Sequence, residues 1–189
     1  VAKIDAILEG ANGRDGLKTV MSEYSQANLG AGNNGRTSTS ALTTNYAGPV
    51  PTDSTFTIAE DGAHDFGFDI ASVASTLTNV AITGPSGTDP DSFDVQFTGQ
   101  PELGETITVE FSLPPDHSET ISIELTAANS TAEDGTFAIG ADLEETAQNL
   151  RDALEAEIEH QAQTTLRAVS DEWAAGTWRD HHGGILPAA

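Results

Sequence analysis

The chain has 189 residues, 30 acidic and 7 basic side chains, and a net charge of −23 at neutral pH. A surface of that sign repels phosphate backbones and anionic lipid, so the expected partners include neither nucleic acid nor membrane. Cysteine is absent, which removes disulfides, thiolate catalysis and cysteine-held zinc.

Apolar residues make up 37% and aromatics 6%, while Gly, Ser, Thr, Ala and Asp are plentiful. That mixture suits short strands, many turns and Ala-rich helices rather than a deep aromatic pocket. The length holds one domain with a real core plus helical extensions. No apolar run reaches the roughly 18 residues a spanning helix needs. The N-terminus has no basic-then-apolar leader and opens on Val1, as expected of a mature chain or a piece of a longer one. Three causes of the acidity compete: solubility in a salty or crowded medium, divalent-cation binding, and a basic partner surface.

In chain order, Val1 to Glu9 reads as one or two helical turns closed by Gly10 and the Ala11-Asn-Gly turn. Asp15 is placed to cap a second helix, with Leu17, Val20, Met21 and Tyr24 on one face and Gly30 as its stop. Residues 31–44 read as a Gly/Asn/Ser/Thr-rich loop with one weak strand. Strand texture then begins. Phe56 and Ile58 alternate with polar residues, and Phe66, Phe68 and Ile70 do the same after a Glu60-Asp-Gly turn. A further strand with an irregular middle is expected from Val73 to Ile82, followed by turn clusters at Gly84-Pro-Ser-Gly and Asp89-Pro-Asp. Phe93, Val95 and Phe97 make another alternating run, as do Ile107, Val109, Phe111 and Leu113. Pro114-Pro-Asp-His-Ser reads as a hairpin loop before Ile121, Ile123 and Leu125. Each run has one apolar face, the pattern of antiparallel sheet with one side on a core.

Residues Thr136 to Ile139 read as a strand that feeds a long helix. Asp142 is its N-cap, Glu144 and Glu145 favour its positive end, and Leu143, Ala147, Leu150, Leu154 and Ile158 form its apolar stripe. Through Ala162, Leu166, Val169 and Trp173 the helix is expected to reach about Ala175. From Gly176 no period is visible. The expected fold class is α+β: an antiparallel β-rich domain flanked by an N-terminal helix and a long C-terminal helix that pack together. The expected divisions are residues 1–31 (helical), 32–140 (β-rich), 141–175 (amphipathic helix) and 176–189 (irregular tail).

Candidate sites are sparse. His64 with Asp61 and Asp65 offers metal-ligand residue types, but Asp and Gly are also what a hydrated turn requires. Asp89, Asp91 and Asp94 place carboxylates close together, though without the central Gly and closing Glu of a calcium loop. His181 and His182 adjoin Asp180, with His160 several turns earlier; neighbouring histidines diverge, so zinc would need ligands from elsewhere. No Gly-x-Ser-x-Gly elbow, His-Glu-x-x-His pair or phosphate loop is present. Two Trp and two Tyr are few for a glycosidase groove. No catalytic, cofactor-binding or metal-binding residue is therefore assigned, and no cofactor or enzymatic activity is expected.

Several phrases in order carry a resemblance. They are Ile7-Leu-Glu-Gly, Gly16-Leu-Lys-Thr-Val-Met-Ser-Glu and Ala27-Asn-Leu-Gly-Ala-Gly, then Ile58-Ala-Glu-Asp-Gly-Ala-His-Asp-Phe-Gly-Phe and Ser75-Thr-Leu-Thr-Asn-Val-Ala-Ile-Thr-Gly-Pro-Ser-Gly. Gly104-Glu-Thr-Ile-Thr-Val, Ser118-Glu-Thr-Ile-Ser-Ile-Glu-Leu-Thr-Ala and Phe137-Ala-Ile-Gly-Ala-Asp complete the set. Over residues 1–168 the chain resembles the middle region of the alphaproteobacterial flagellar hook–filament junction proteins, the hook-associated protein 3 family of the flagellin superfamily. The resemblance implies an exported, extracellular structural component of the bacterial flagellum, with the β-rich part facing outward and no catalytic residues. It implies neighbouring flagellar protomers as partners, assembled through long terminal helices that this chain lacks, so that the piece alone is expected to be monomeric. The alternative is a carbohydrate- or protein-binding β-domain of a phage tail or bacterial surface protein, for which Tyr46, Trp173 and Trp178 are the few available aromatics.

Overall fold

The structure, a computed structural model, describes residues 2–10, 15–130 and 134–181. It is α+β. Two short helices, α1 (Ala2–Glu9) and α2 (Leu17–Leu29), lead into nine strands, and a long helix closes the chain. The first sheet contains β1 (Thr37–Thr39), β2 (Thr43–Ala47), β3 (Val50–Glu60), β5 (Val80–Thr83) and β6 (Ser92–Phe97); β3 pairs with both β1 and β2 on one side and β6 on the other, and β5 forms the far edge. The second sheet runs β4 (Asp69–Ser75), β7 (Thr106–Leu113), β8 (Glu119–Ala128) and β9 (Thr136–Ala138). Every pairing is antiparallel except β8 with β9, which is parallel.

Period-two alternation decides which side chains go inward. Phe56 and Ile58 of β3, Phe93, Val95 and Phe97 of β6, and Ile107, Val109 and Phe111 of β7 are all buried, in one core with Ile123 and Leu125 of β8. Phe68 joins that core from the loop before β4, its ring 5.1 Å from Phe111. The chain crosses between sheets three times, through residues 61–68, 76–79 and 98–105, so neither sheet is built from consecutive strands alone.

The closing helix starts where the sequence places it. Asp142 accepts a hydrogen bond from the Glu145 N–H (2.9 Å), and Glu145 returns the favour to the Ala141 N–H (2.6 Å). From there α3 (Leu143–Gln161) buries Leu150, Leu154 and Ile158 against the sheets. A five-residue π-helical turn, Ala162–Leu166, joins it to α4 (Arg167–His181). The buried residues from Leu150 through Ala174 recur at strict steps of four. Each such step overshoots a turn of about 3.6 residues, so the stripe winds round the helix. The wider π turn takes back part of that drift where the partner changes from sheet to α2.

Five expectations need correction. Asp15 does not cap α2: the N-cap is Gly16, without a side-chain bond, because added bulk there would collide with the backbone of Glu9 and Gly10 at 2.5 Å. Two short strands, β1 and β2, lie where one was expected, both held by the long β3. Phe66 and Phe68 are not strand residues; the strand starts at Asp69, because the crossing between sheets takes up residues 61–68. The run from Val73 to Ile82 is two strands in different sheets, β4 and β5, split at 76–79. The closing helix also continues past Ala175 to His181, held by Ala174 in the interface with α2 and by the Trp178 indole N–H donating to the Asp15 carbonyl (3.1 Å). The rest of the tail, and the Ala11-Asn-Gly turn, lie outside the described residues.

Candidate functional site

The densest constellation of polar and aromatic side chains lies where α2 and α4 meet the β body. Leu17–Leu29 and Arg167–His181 run antiparallel: Asn28 meets Ser170, Tyr24 meets Trp173, and Asp15 meets Trp178. The chain thus reaches and leaves the β body along two adjacent helices. Asn28 is completely buried. Its Nδ2 donates to Ser170 Oγ (2.9 Å), and its Oδ1 accepts the Gly67 N–H (2.9 Å). Ser170 in turn donates to the Leu166 carbonyl (2.7 Å). One amide therefore joins α2, α4 and the crossing loop 61–68, and each of its groups has a partner.

Backbone geometry makes room for that joint. Gly35 has φ of +68° and a Cβ there would stand 2.3 Å from the Phe68 ring; Gly67 has φ of +83° and its Cβ would stand 2.6 Å from the Gly35 carbonyl. The Phe68 N–H donates to that same carbonyl (2.9 Å). Outside it, Tyr24 and Trp173 contact edge to face with centroids 4.8 Å apart, and Phe66 lies 5.8 Å from Trp173.

His64 and Asp61 are brought together, but by Arg36. Its Nε donates to Asp61 Oδ1 (3.1 Å) and its Nη1 to the Ala27 carbonyl at the end of α2 (3.2 Å). His64 Nε2 also lies within hydrogen-bond distance of both Asp61 Oδ1 and Arg36 Nε, and it cannot serve as donor to one and acceptor from the other at once. Donation to the carboxylate fits the charges better, and Nδ1 is buried without a hydrogen-bond partner among the described residues. Asp65 is exposed and takes no part. The trio locks the loop to α2.

The three carboxylates at 89, 91 and 94 do not converge. Asp91 is 5% exposed and turns into its own loop, accepting the N–H groups of Ser86 (2.9 Å), Gly87 (2.5 Å) and Ser92 (2.8 Å). Desolvation acts upward on its pKa most strongly, but those backbone donors together with the Ser86 hydroxyl bring it below the usual carboxylate range. Asp94 accepts from the Thr57 hydroxyl (2.5 Å), and Asp89 is exposed. Beside them Glu60 accepts the N–H groups of Ile70 and Asp91 (2.7 Å each), tying together the end of β3 and the starts of β4 and β6. Burial pushes its pKa up, against the pull of those two donors.

His160 sits on α3 beside Glu157 (3.5 Å), His182 lies outside the described residues, and only the backbone of Asp180 and His181 is described. Among the described residues no group of three or more His, Asp or Glu side chains is placed to hold a metal ion. Tyr46 is 53% exposed, yet its hydroxyl donates to Glu144 (2.6 Å), which raises its pKa. Trp173 and Trp178 belong to the helical joint. Sequence reading missed Asn28, Arg36, Glu60 and Asp91 as organising residues. Gly67 inside the crossing loop and Gly35 just before β1 were the visible signal, since one buried Asn in the last turn of a helix carries no periodicity of its own. Among the described residues no helix is long and apolar enough to cross a membrane. Compared with family models, curated proteins and solved structures, the chain matches none.

Proposed function

We propose that this chain is a structural module, the outward-facing domain of a flagellar hook–filament junction or flagellin-like protein, carried on a helical scaffold. The observation that supports it is the antiparallel pairing of α2 with α4, which leads the chain into and out of the β body at one end. A domain displayed on helices needs that geometry. Charge follows the same division. Residues 37–150 hold 19 acidic and no basic side chains, whereas residues 1–36 hold four of each. A near-neutral base suits close packing against other helices, and an acidic body suits exposure to water. In this reading the family resemblance supplies the appendage, and the domain fills space, contacts neighbouring protomers and presents its acidic surface outward.

The experiment is immunogold electron microscopy with antibodies raised against the chain, applied to flagellated cells of the source bacterium. Gold at the hook–filament joint or along the filament is the expected result. Labelling confined to virions or to the general cell surface would overturn the proposal, and the binding-domain alternative would take its place.

A further inference from the structure

Strand β8 is registered with β7 from Glu119 to Thr126, but its other side is only partly used. There β9 pairs with Thr126, Ala127 and Ala128 alone. The Thr126 N–H donates to Gly135 O and the Ala128 carbonyl accepts from Ile139, so the even-numbered residues of β8 aim their backbone groups at that side. By the same alternation Thr120, Ser122 and Glu124 aim N–H and C=O outward, where no described strand meets them. We propose that this open edge binds an extended, Lys- or Arg-bearing segment of another protein as an added strand, in line with β9.

Three observations point to this edge rather than the others. A groove runs beside it, formed by two hollows of about 430 and 540 Å³ that share Asp134, Gly135 and Glu157, with α3 as the far wall. A guest strand has a place to put alternate side chains there, against Ala153, Ala156 and Leu125. The remaining edges are guarded: β4 is bulged between Ile70 and Ser72, β5 has four residues, and β1 and β2 are short. The chain's own β9 already occupies three residues of the same edge, so the geometry accepts a strand. The groove's charge selects the occupant. Glu124, Asp134 and Glu157 line it, beside Asp152, which is paired with Arg151, and no Lys or Arg is among the lining residues. This proposal stands independently of the appendage reading.

The test uses the ¹⁵N-labelled chain and a synthetic peptide of about eight residues that alternates Lys with Val and Thr. Amide exchange at Thr120, Ser122 and Glu124 slows at least about tenfold on peptide addition. A peptide with Glu in place of Lys leaves exchange unchanged. Ser122→Pro removes an outward N–H that no ladder bond uses, so the fold is retained by circular dichroism and the protection is lost. The paired surface changes Glu124→Gln and Glu157→Gln raise the Kd about fivefold. Unprotected amides at millimolar peptide, or equal binding of the Glu peptide, would overturn the proposal. So would protection that develops in the chain alone as its concentration rises, which would make a second copy the occupant.

Discussion

Asn28 illustrates how much one buried polar side chain can organise. Its amide spans three segments far apart in sequence, and among the described residues it alone accepts the Gly67 N–H. Asn28→Ala leaves that N–H and the Ser170 hydroxyl short of partners in a dry interface, at a cost of about 2–4 kcal/mol, and Tm falls accordingly. An unchanged Tm would mean water replaces the amide and the joint is looser than described. Asp91 acts differently, because it is charged. Its folded pKa is depressed, so its contribution is present above the ordinary carboxylate pKa and lost as pH falls through the folded value. Glu60 has the opposite sign: its raised folded pKa contributes stability below the ordinary value, lost as pH rises through the folded one. Wild-type stability should therefore fall on acidification more steeply than that of Asp91→Asn. The variant keeps an acceptor for the Ser86 and Ser92 N–H groups but sets an amide donor against Gly87, so its neutral-pH loss is about 1–3 kcal/mol. Parallel acid limbs in urea titrations of the two proteins would count against this role.

At the scale of elements, α3 carries the fold. Leu150 and Leu154 are completely buried between the two sheets' strands and the helix. Leu150→Asp or Leu154→Asp sets a carboxylate in an apolar core, which costs at least about 4–5 kcal/mol, comparable to the whole stability of a small domain. Either variant should melt without a cooperative transition; retention of the wild-type Tm would show that face is not buried. That stripe was legible in the sequence because one face and one period run through it, and so were β3, β6, β7 and β8, whose inward residues alternate. The split of residues 73–82 into strands of different sheets was not legible. Val73 lies seven positions before Val80, a change of phase that reads equally as an irregularity inside one strand, and the crossing depends on Leu77 being buried in the turn, a tertiary contact. The extension of α4 was hidden for a related reason: it is held by α2, through Ala174 and Trp178, rather than by an apolar stripe of its own. The candidate site was the least legible part. The residues flagged for chemistry, at 89, 91 and 94, read as a cluster in one dimension, but alternation and loop closure turn Asp91 into its own loop, send Asp94 to Thr57 and leave Asp89 exposed.

At the scale of the whole molecule, charge is distributed unevenly enough to affect folding. Residues 37–161 contain 23 acidic side chains and one basic residue, Arg151, which is already committed to Asp152 and Glu155. Compacting that body brings carboxylates together that an expanded chain keeps apart, so the repulsion works against the folded state. The Debye length shrinks from about 30 Å at 0.01 M salt to about 8 Å at 0.15 M, a range that spans the spacing of charges across a domain of this size. Stability should therefore rise with sodium chloride. Each 1 kcal/mol of relieved repulsion is worth about 2–4 °C for a chain of this length, and a rise of about 5 °C between those two salts is expected by calorimetry. Sodium and magnesium compared at equal ionic strength separate screening from binding. Screening alone gives matching curves, consistent with carboxylates that sit apart or are satisfied by their own loops. A melting temperature raised well beyond that by millimolar magnesium would show that some of the carboxylates converge on a cation after all.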